Sequence, residues 1–225
     1  MRTVKELDSE IVKAYALRAG AKVVGIASAD DFDLSRDGFR PSDNLEGCRS
    51  VVVLGSPMPK EAFDNVTDYT ASRNAMVTKM TDIAKDVAKM INADGHKAKA
   101  ISGTGGKTVD GKFSGHISLK HAAESAGIGF IGRNNLLLSP EYGTLLWLSA
   151  VLTVADLVPS KKIQNRFCDD CNICVDSCPV GALDDPATFK KKECGDHFTL
   201  IGGKFEIRCY KCRTVCPYSF GTGTY

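Results

Sequence analysis

At 225 residues, 43% hydrophobic and 25% charged, the chain has the balance of a folded protein of one or two domains rather than a disordered one. Its net charge of +2 is too small to argue for nucleic acid, and no apolar run approaches the roughly 18 residues of a membrane span. The N-terminal MRTVKELDSE has neither the apolar core of an export signal nor a twin arginine. Together these features predict a cytoplasmic protein with no membrane partner and no nucleic-acid partner. Nine cysteines are the anomaly, eight of them between Cys168 and Cys216. In a chain that is not exported, such crowding predicts metal ligands rather than disulfides.

Val4, Leu7, Ile11, Ala14 and Tyr15 recur at helical spacing and predict a helix ending near Gly20. KVVGIAS (22–28) and SVVVLGSP (50–57) read as buried strands. Met76, Met80, Ile83, Val87, Met90 and Ile91 form one apolar stripe on a predicted helix over about 70–93, better read as core than as a cofactor surface. AKAIS (98–102) predicts a further strand, and GTGGKTVDGKFSG (103–115), with five glycines, predicts a loop facing a substrate or simply connecting two elements. A short helix at about 117–125, the segment AGIGFIGRNNLLLSPEYG and a strand over 144–154 complete this part. The mixture predicts an α+β or α/β layered fold. VADLVPSKKIQNRF marks the junction, dividing the chain into residues 1–160 and a cysteine-rich module over 161–225.

The cysteine spacing carries the chemistry. Cys168, Cys171, Cys174 and Cys178 form C-x2-C-x2-C-x3-C before Pro179, while Cys209, Cys212 and Cys216 form C-x2-C-x3-C before Pro217, with Cys194 upstream. Three thiolates on a tight loop reach three irons of one cubane, and the fourth, ahead of a proline, is carried away to ligate the other cluster. Cys168, Cys171, Cys174 and Cys216 are therefore assigned to one [4Fe–4S] cluster, and Cys178, Cys194, Cys209 and Cys212 to a second. A loop containing HFTLIGGKFEI must bring Cys194 back to Cys209. Two zinc sites are the alternative, but zinc motifs usually present paired C-x2-C knuckles rather than a triple followed by C-P. Two clusters of about −2 each would bring the loaded chain to about −2, which argues further against nucleic acid.

Other motifs carry less. GTGGKT lacks the first glycine of a phosphate loop, because Ile101 stands there. Gly127, Gly129 and Gly132 spell G-x-G-x-x-G, but a helix precedes them, the reverse of the dinucleotide-binding order. His116 and His121 flank a helix start, where capping or packing is the commoner role than proton donation. Asp110 reads as a solvated turn residue or a general acid, Lys190, Lys191 and Lys192 as a solvated face or a steering patch for an acidic redox partner, and Cys48 as a buried small residue.

LRAGAKVVGIASADDF, CRSVVVLGSPMP, AGIGFIGRNNLLLSPEYGTLLWLSAVLTVADL and CDDCNICVDSCPVGAL resemble, in order, segments of the epoxyqueuosine reductase family, which is related to the corrinoid-dependent reductive dehalogenases. The resemblance implies a nitroreductase-like α+β domain over 1–160 that holds a corrinoid (cobalamin) or serves for docking. A ferredoxin-like module with two [4Fe–4S] clusters follows over 161–225. Gly127, Gly129, Gly132, Arg133 and Asn134 match the segment near the corrinoid, with Arg133 where a lysine is usual. The family's acidic proton donor would fall near Phe113, with Asp110 three residues away. Related enzymes that act on tRNA commonly continue into a helical-repeat domain, whereas this chain stops at Tyr225. The function implied is an iron–sulfur oxidoreductase fed by a low-potential donor such as ferredoxin or flavodoxin. Its alternative is an electron-transfer protein that docks on a corrinoid or flavin protein, and flavin is the lesser cofactor expectation.

Overall fold

The computed structural model describes residues 6–32, 37–103, 106–109, 112–164, 166, 168, 170–185, 188–195, 198–201 and 204–222. In chain order the elements are α1 (Ser9–Arg18), β1 (Val23–Ser28), α2 (Pro41–Asn44), β2 (Ser50–Pro57), α3 (Val66–Ala93), β3 (Ala98–Ile101), β4 (Gly106–Val109), β5 (Lys112–Gly115) and α4 (Leu119–Ser125). They continue with β6 (Phe130–Ile131), β7 (Leu137–Leu138), β8 (Leu146–Thr153), α5 (Ile173–Asp176), α6 (Lys191–Gly195), β9 (Phe198–Ile201), β10 (Lys204–Ile207) and α7 (Lys211–Thr214). They form two compact units, one of Met1–Ser56, Met76–Ile128 and Trp147–Ile163, the other of Pro57–Ala75, Gly129–Leu146 and Gln164–Tyr225.

The first unit is built on a sheet of order β1-β2-β8-β3. β1 and β2 run antiparallel with Val23 opposite Gly55, and β3 and β8 run antiparallel with Ala98 opposite Thr153. The two inner strands are apolar on both faces, and Val51–Leu54 and Ala150–Leu152 are fully buried. The α3 stripe behaves as core: Met76, Met80, Ile83, Val87 and Ile91 are buried, while Met90 is half-buried. Met80→Ala should therefore cost about 2–5 kcal/mol, as other buried large-to-small changes do, and urea unfolding monitored by circular dichroism checks it.

One expectation in this unit holds and another needs correction. The helix near the N-terminus begins at an Asp8 cap, whose carboxylate accepts from the Ile11 N–H at 2.8 Å. Its buried face is Ser9, Val12 and Ala16, whereas Ile11 and Ala14 are exposed, so the apolar spacing found the helix but not its inner face. Val4 lies outside the described residues. The glycine-rich stretch is not a plain loop. Gly106 pairs with Gly115 and Val109 with Lys112 in an antiparallel β4–β5 hairpin. Strand-forming residues flanking Asp110-Gly111 are a hairpin signal that the glycine content obscures.

In the second unit, β6 and β7 form a short hairpin with Phe130 opposite Leu138. An aromatic cluster packs residues 57–75 with the cysteine-rich segment: Tyr69 stacks on Tyr210 at 4.3 Å, and Phe63 lies 5.4 Å from Tyr69 and 5.8 Å from Tyr210. Tyr210 sits between Cys209 and Cys212, so the residues inside the cysteine motif supply its packing.

Candidate metal centres

The two cysteine runs fold alike. In the first, Cys174 lies on the single turn of α5, and the Cys178 N–H donates to the Val175 carbonyl at 3.0 Å before Pro179. In the second, Cys212 lies on α7, and the Cys216 N–H donates to the Arg213 carbonyl at 3.2 Å before Pro217. The two short helices pack together. Each run thus turns its last cysteine out of its own loop. Cys168, Cys171, Cys174 and Cys216 line one pocket; Cys178, Cys194, Cys209 and Cys212 line another, of about 130 Å³. Four thiols around each pocket fit a cubane cluster with one cysteine per iron.

The return of Cys194 is made by a hairpin, not a loop. Phe198 pairs with Ile207 and Ile201 with Lys204, so the chain that leaves α6 comes back beside itself at Cys209. Gly202-Gly203, which follows Ile201 in the sequence, is the signal for it.

Burial pushes the thiols of Cys174, Cys194 and Cys216 up, and repulsion within each set adds to it: Cys216, Cys171 and Cys168 act on Cys174, while Cys209 and Cys178 act on Cys194. Cys212 is pushed up to about 11, by burial first and, against the lowering pull of Arg213, by Cys194, Cys209 and Cys174. At neutral pH these thiols hold their protons, which a metal must displace. In the metal-free protein, Cys212 is protonated in both the folded and unfolded states below pH 9. Above that, the unfolded chain ionises first, and stability falls by about 2–3 kcal/mol between pH 9 and about 11. Urea unfolding of the apo protein at pH 8 and pH 10.5 should show about 2 kcal/mol of that loss.

Turns outside the cysteine motifs hold the pockets. Between β6 and β7, the Gly132 N–H donates to the Leu136 carbonyl and the Asn135 N–H to the Gly132 carbonyl, both at 2.9 Å. Asn134 is buried, accepts the Leu136 N–H at 3.1 Å on its Oδ1, and lines both pockets. Arg133 lines the first. Further on, Gly143 at φ +54° closes a turn on Ser139, and the Thr144 N–H donates to Ser219 at 3.0 Å while the Thr222 N–H donates to Pro140 at 2.9 Å. Residues 139–144 thereby clamp the chain that follows Cys216. Sequence reading missed this clamp, although PEYGT carries its turn glycine.

The glycines matched to a corrinoid segment are explained by the chain's own packing. A Cβ at Gly127 would meet the Lys161 carbonyl, one at Gly129 the Leu138 carbonyl, and one at Gly132 the Leu138 side chain. Their lack of a side chain does not by itself call for a ligand. Asp110 lies outside the described residues, as does the side chain of Phe113, whose backbone pairs with Thr108 in the β4–β5 hairpin. The His116 carbonyl accepts from the Asn44 amide at 3.0 Å, and the His121 Nδ1 meets the Ser118 hydroxyl at 2.6 Å at the start of α4. Burial lowers the His121 pKa. Cys48 is half-buried rather than buried, and its thiol donates to the Ser50 carbonyl at 3.5 Å. Lys190, Lys191 and Lys192 are exposed, and Lys190 pairs with Asp184 at 3.3 Å.

Residues 162–184 match the 4Fe-4S binding domain family. The epoxyqueuosine reductase of Listeria monocytogenes serovar 1/2a is 33% identical to this chain over 96% of it and 65% of its own length. The chain is similar to the epoxyqueuosine reductases and carries a 4Fe-4S binding motif. It spans 65% and 58% of the length of the Bacillus subtilis and Gloeobacter violaceus epoxyqueuosine reductases. Among solved structures, an epoxyqueuosine reductase with an epoxyqueuosine-modified tRNA stem loop superposes with a TM-score of 0.68 at 22% identity, covering 93% of this chain and 64% of that one. A reductive dehalogenase described in terms of B12-dependent dehalogenation gives 0.72 at 20% identity, covering 99% and 33%. At these identities the shared property is the mixed α/β fold. Because a structural relative carries tRNA, the low net charge no longer serves to exclude a nucleic-acid partner. No helix among the described residues is long and apolar enough to cross a membrane.

Proposed function

We propose that the chain is an iron–sulfur reductase with two [4Fe–4S] clusters. Cys168, Cys171, Cys174 and Cys216 hold one, and Cys178, Cys194, Cys209 and Cys212 hold the other. The clusters pass electrons from a low-potential donor, of the ferredoxin or flavodoxin type, to a corrinoid held by a nitroreductase-like domain. The observation that carries the cluster reading is the sorting of eight cysteines into two pockets of four, with the last cysteine of each run in the other run's pocket. Thiolates spread around a pocket favour a cubane over zinc, whose four ligands converge on one ion at about 2.3 Å. When bound, the clusters supply one-electron carriers; the chain's own work is to position and tune them. The Ala182 N–H donates to the Cys178 sulfur at 3.3 Å, the kind of bond that sets a cluster's potential.

The corrinoid is supported by the resemblance along the chain and by the B12-dependent relative of the same fold. Anaerobic, reduced protein mixed with hydroxocobalamin should form a complex that survives gel filtration and shifts the corrinoid absorbance. Failure to bind would overturn the corrinoid part and leave an electron carrier that a separate corrinoid or flavin protein oxidises.

A further inference from the structure

Arg133 brings to the first pocket a charge that cysteine ligation does not use. It lines the pocket of Cys168, Cys171, Cys174 and Cys216, and its Nε is buried without a hydrogen-bond partner. Among the described residues no carboxylate pairs with it. A guanidinium is always charged, and a buried N–H without a partner is costly, so this one is built to meet an acceptor. Its place is fixed by the turn it sits on: the Gly132–Leu136 and Asn135–Gly132 backbone bonds and the Asn134 side chain hold both neighbours. Among the described residues the second pocket is lined by Lys211, exposed and screened by water, while Arg213 beside Cys212 already donates to the Thr144 carbonyl.

We propose that Arg133 donates a charge-assisted hydrogen bond to a sulfur of the cluster held by Cys168, Cys171, Cys174 and Cys216 and so raises that cluster's reduction potential. This rests on the two-cluster reading above. Taking up one electron from the donor changes a four-thiolate [4Fe–4S]²⁺ site from about −2 to about −3, and a fixed cation stabilises the more negative state. Electrons entering the pair would then collect on the first cluster, which gives the transfer a direction.

An EPR-monitored redox titration of the full chain tests this. Arg133→Met should lower the reduced-to-oxidised ratio of one cluster about tenfold at a fixed potential, a fall of about 59 mV for one electron, and leave the other unmoved. Arg133→Lys, which keeps the charge, should recover most of the shift. Two clusters whose midpoints stay put, or move together, would overturn the role of Arg133. Should Arg133→Met lose iron, the wild-type protein decides: with ¹⁵N-arginine, pulsed EPR of the reduced form should detect an arginine nitrogen coupled to one cluster, and its absence overturns the proposal. Wild-type protein without two cluster signals would overturn the two-cluster reading itself, and this proposal with it.

Discussion

Cys171→Ala and Cys216→Ala, placed 45 residues apart, are expected to give the same product: a chain that keeps about four of its eight irons and the same remaining EPR signal. Cys178→Ala and Cys209→Ala should form a second matching pair, retaining the other signal. If the clusters followed sequence order, Cys178→Ala would instead match Cys171→Ala. The expectation comes from the exit of each run. The Cys178–Val175 and Cys216–Arg213 bonds end their helical turns just before a proline, and the cysteine there faces the other pocket. Each loss should also loosen the whole cysteine-rich unit, because its cluster is part of its folding free energy. Limited proteolysis of the four variants, alongside iron analysis, measures both effects.

Gly143→Ala should have a large effect for a change outside the cysteines. Gly143 sits at φ +54°, where a side chain is strained, and a Cβ there would run into the carbonyls of Tyr218 and Ser219. Neither neighbour can step aside, since Ser219 holds the Thr144 N–H and the adjoining chain holds Pro140. A loss of about 3 kcal/mol or more is expected, concentrated on the arm that carries Cys216. Thermal unfolding should drop, and the cluster lost on mild oxidation should be the one that Cys216→Ala removes. An unchanged melting temperature would mean that the 139–144 clamp is not rigid.

These two predictions mark how far the sequence could be read. Cysteine spacing is a local quantity, and both the grouping and the crossing of the ligands can be argued from C-x2-C-x2-C and C-P without a structure. The α3 stripe and the inner strands were legible for the same reason, since 3.6-residue and continuous apolar patterns are set within one element. What stayed hidden depends on partners far along the chain. Nothing near Gly143 announces Ser219, and nothing in Phe63 or Tyr69 announces Tyr210. The two hairpins at 106–115 and 198–207 were legible in principle, through Asp110-Gly111 and Gly202-Gly203, but their glycine content reads first as a loop. Hydrophobic spacing locates α1 but not its inner face, because Leu17, Ile11 and Ala14 stay in solvent while Val12 and Ala16 are buried. Arg133 and Asn134 belong to a segment whose resemblance implies a corrinoid; in the structure they line the cysteine pockets.

The central claim is that eight cysteines hold two cubanes. Mössbauer spectroscopy of anaerobically purified full-length chain, with iron and acid-labile sulfide counted on the same sample, tests it most directly. The account predicts a brown protein with about eight irons and eight sulfides per chain, all in [4Fe–4S]²⁺ spectra. A colourless protein holding two zinc ions, or one that carries no more than about four irons when fully loaded, would contradict it.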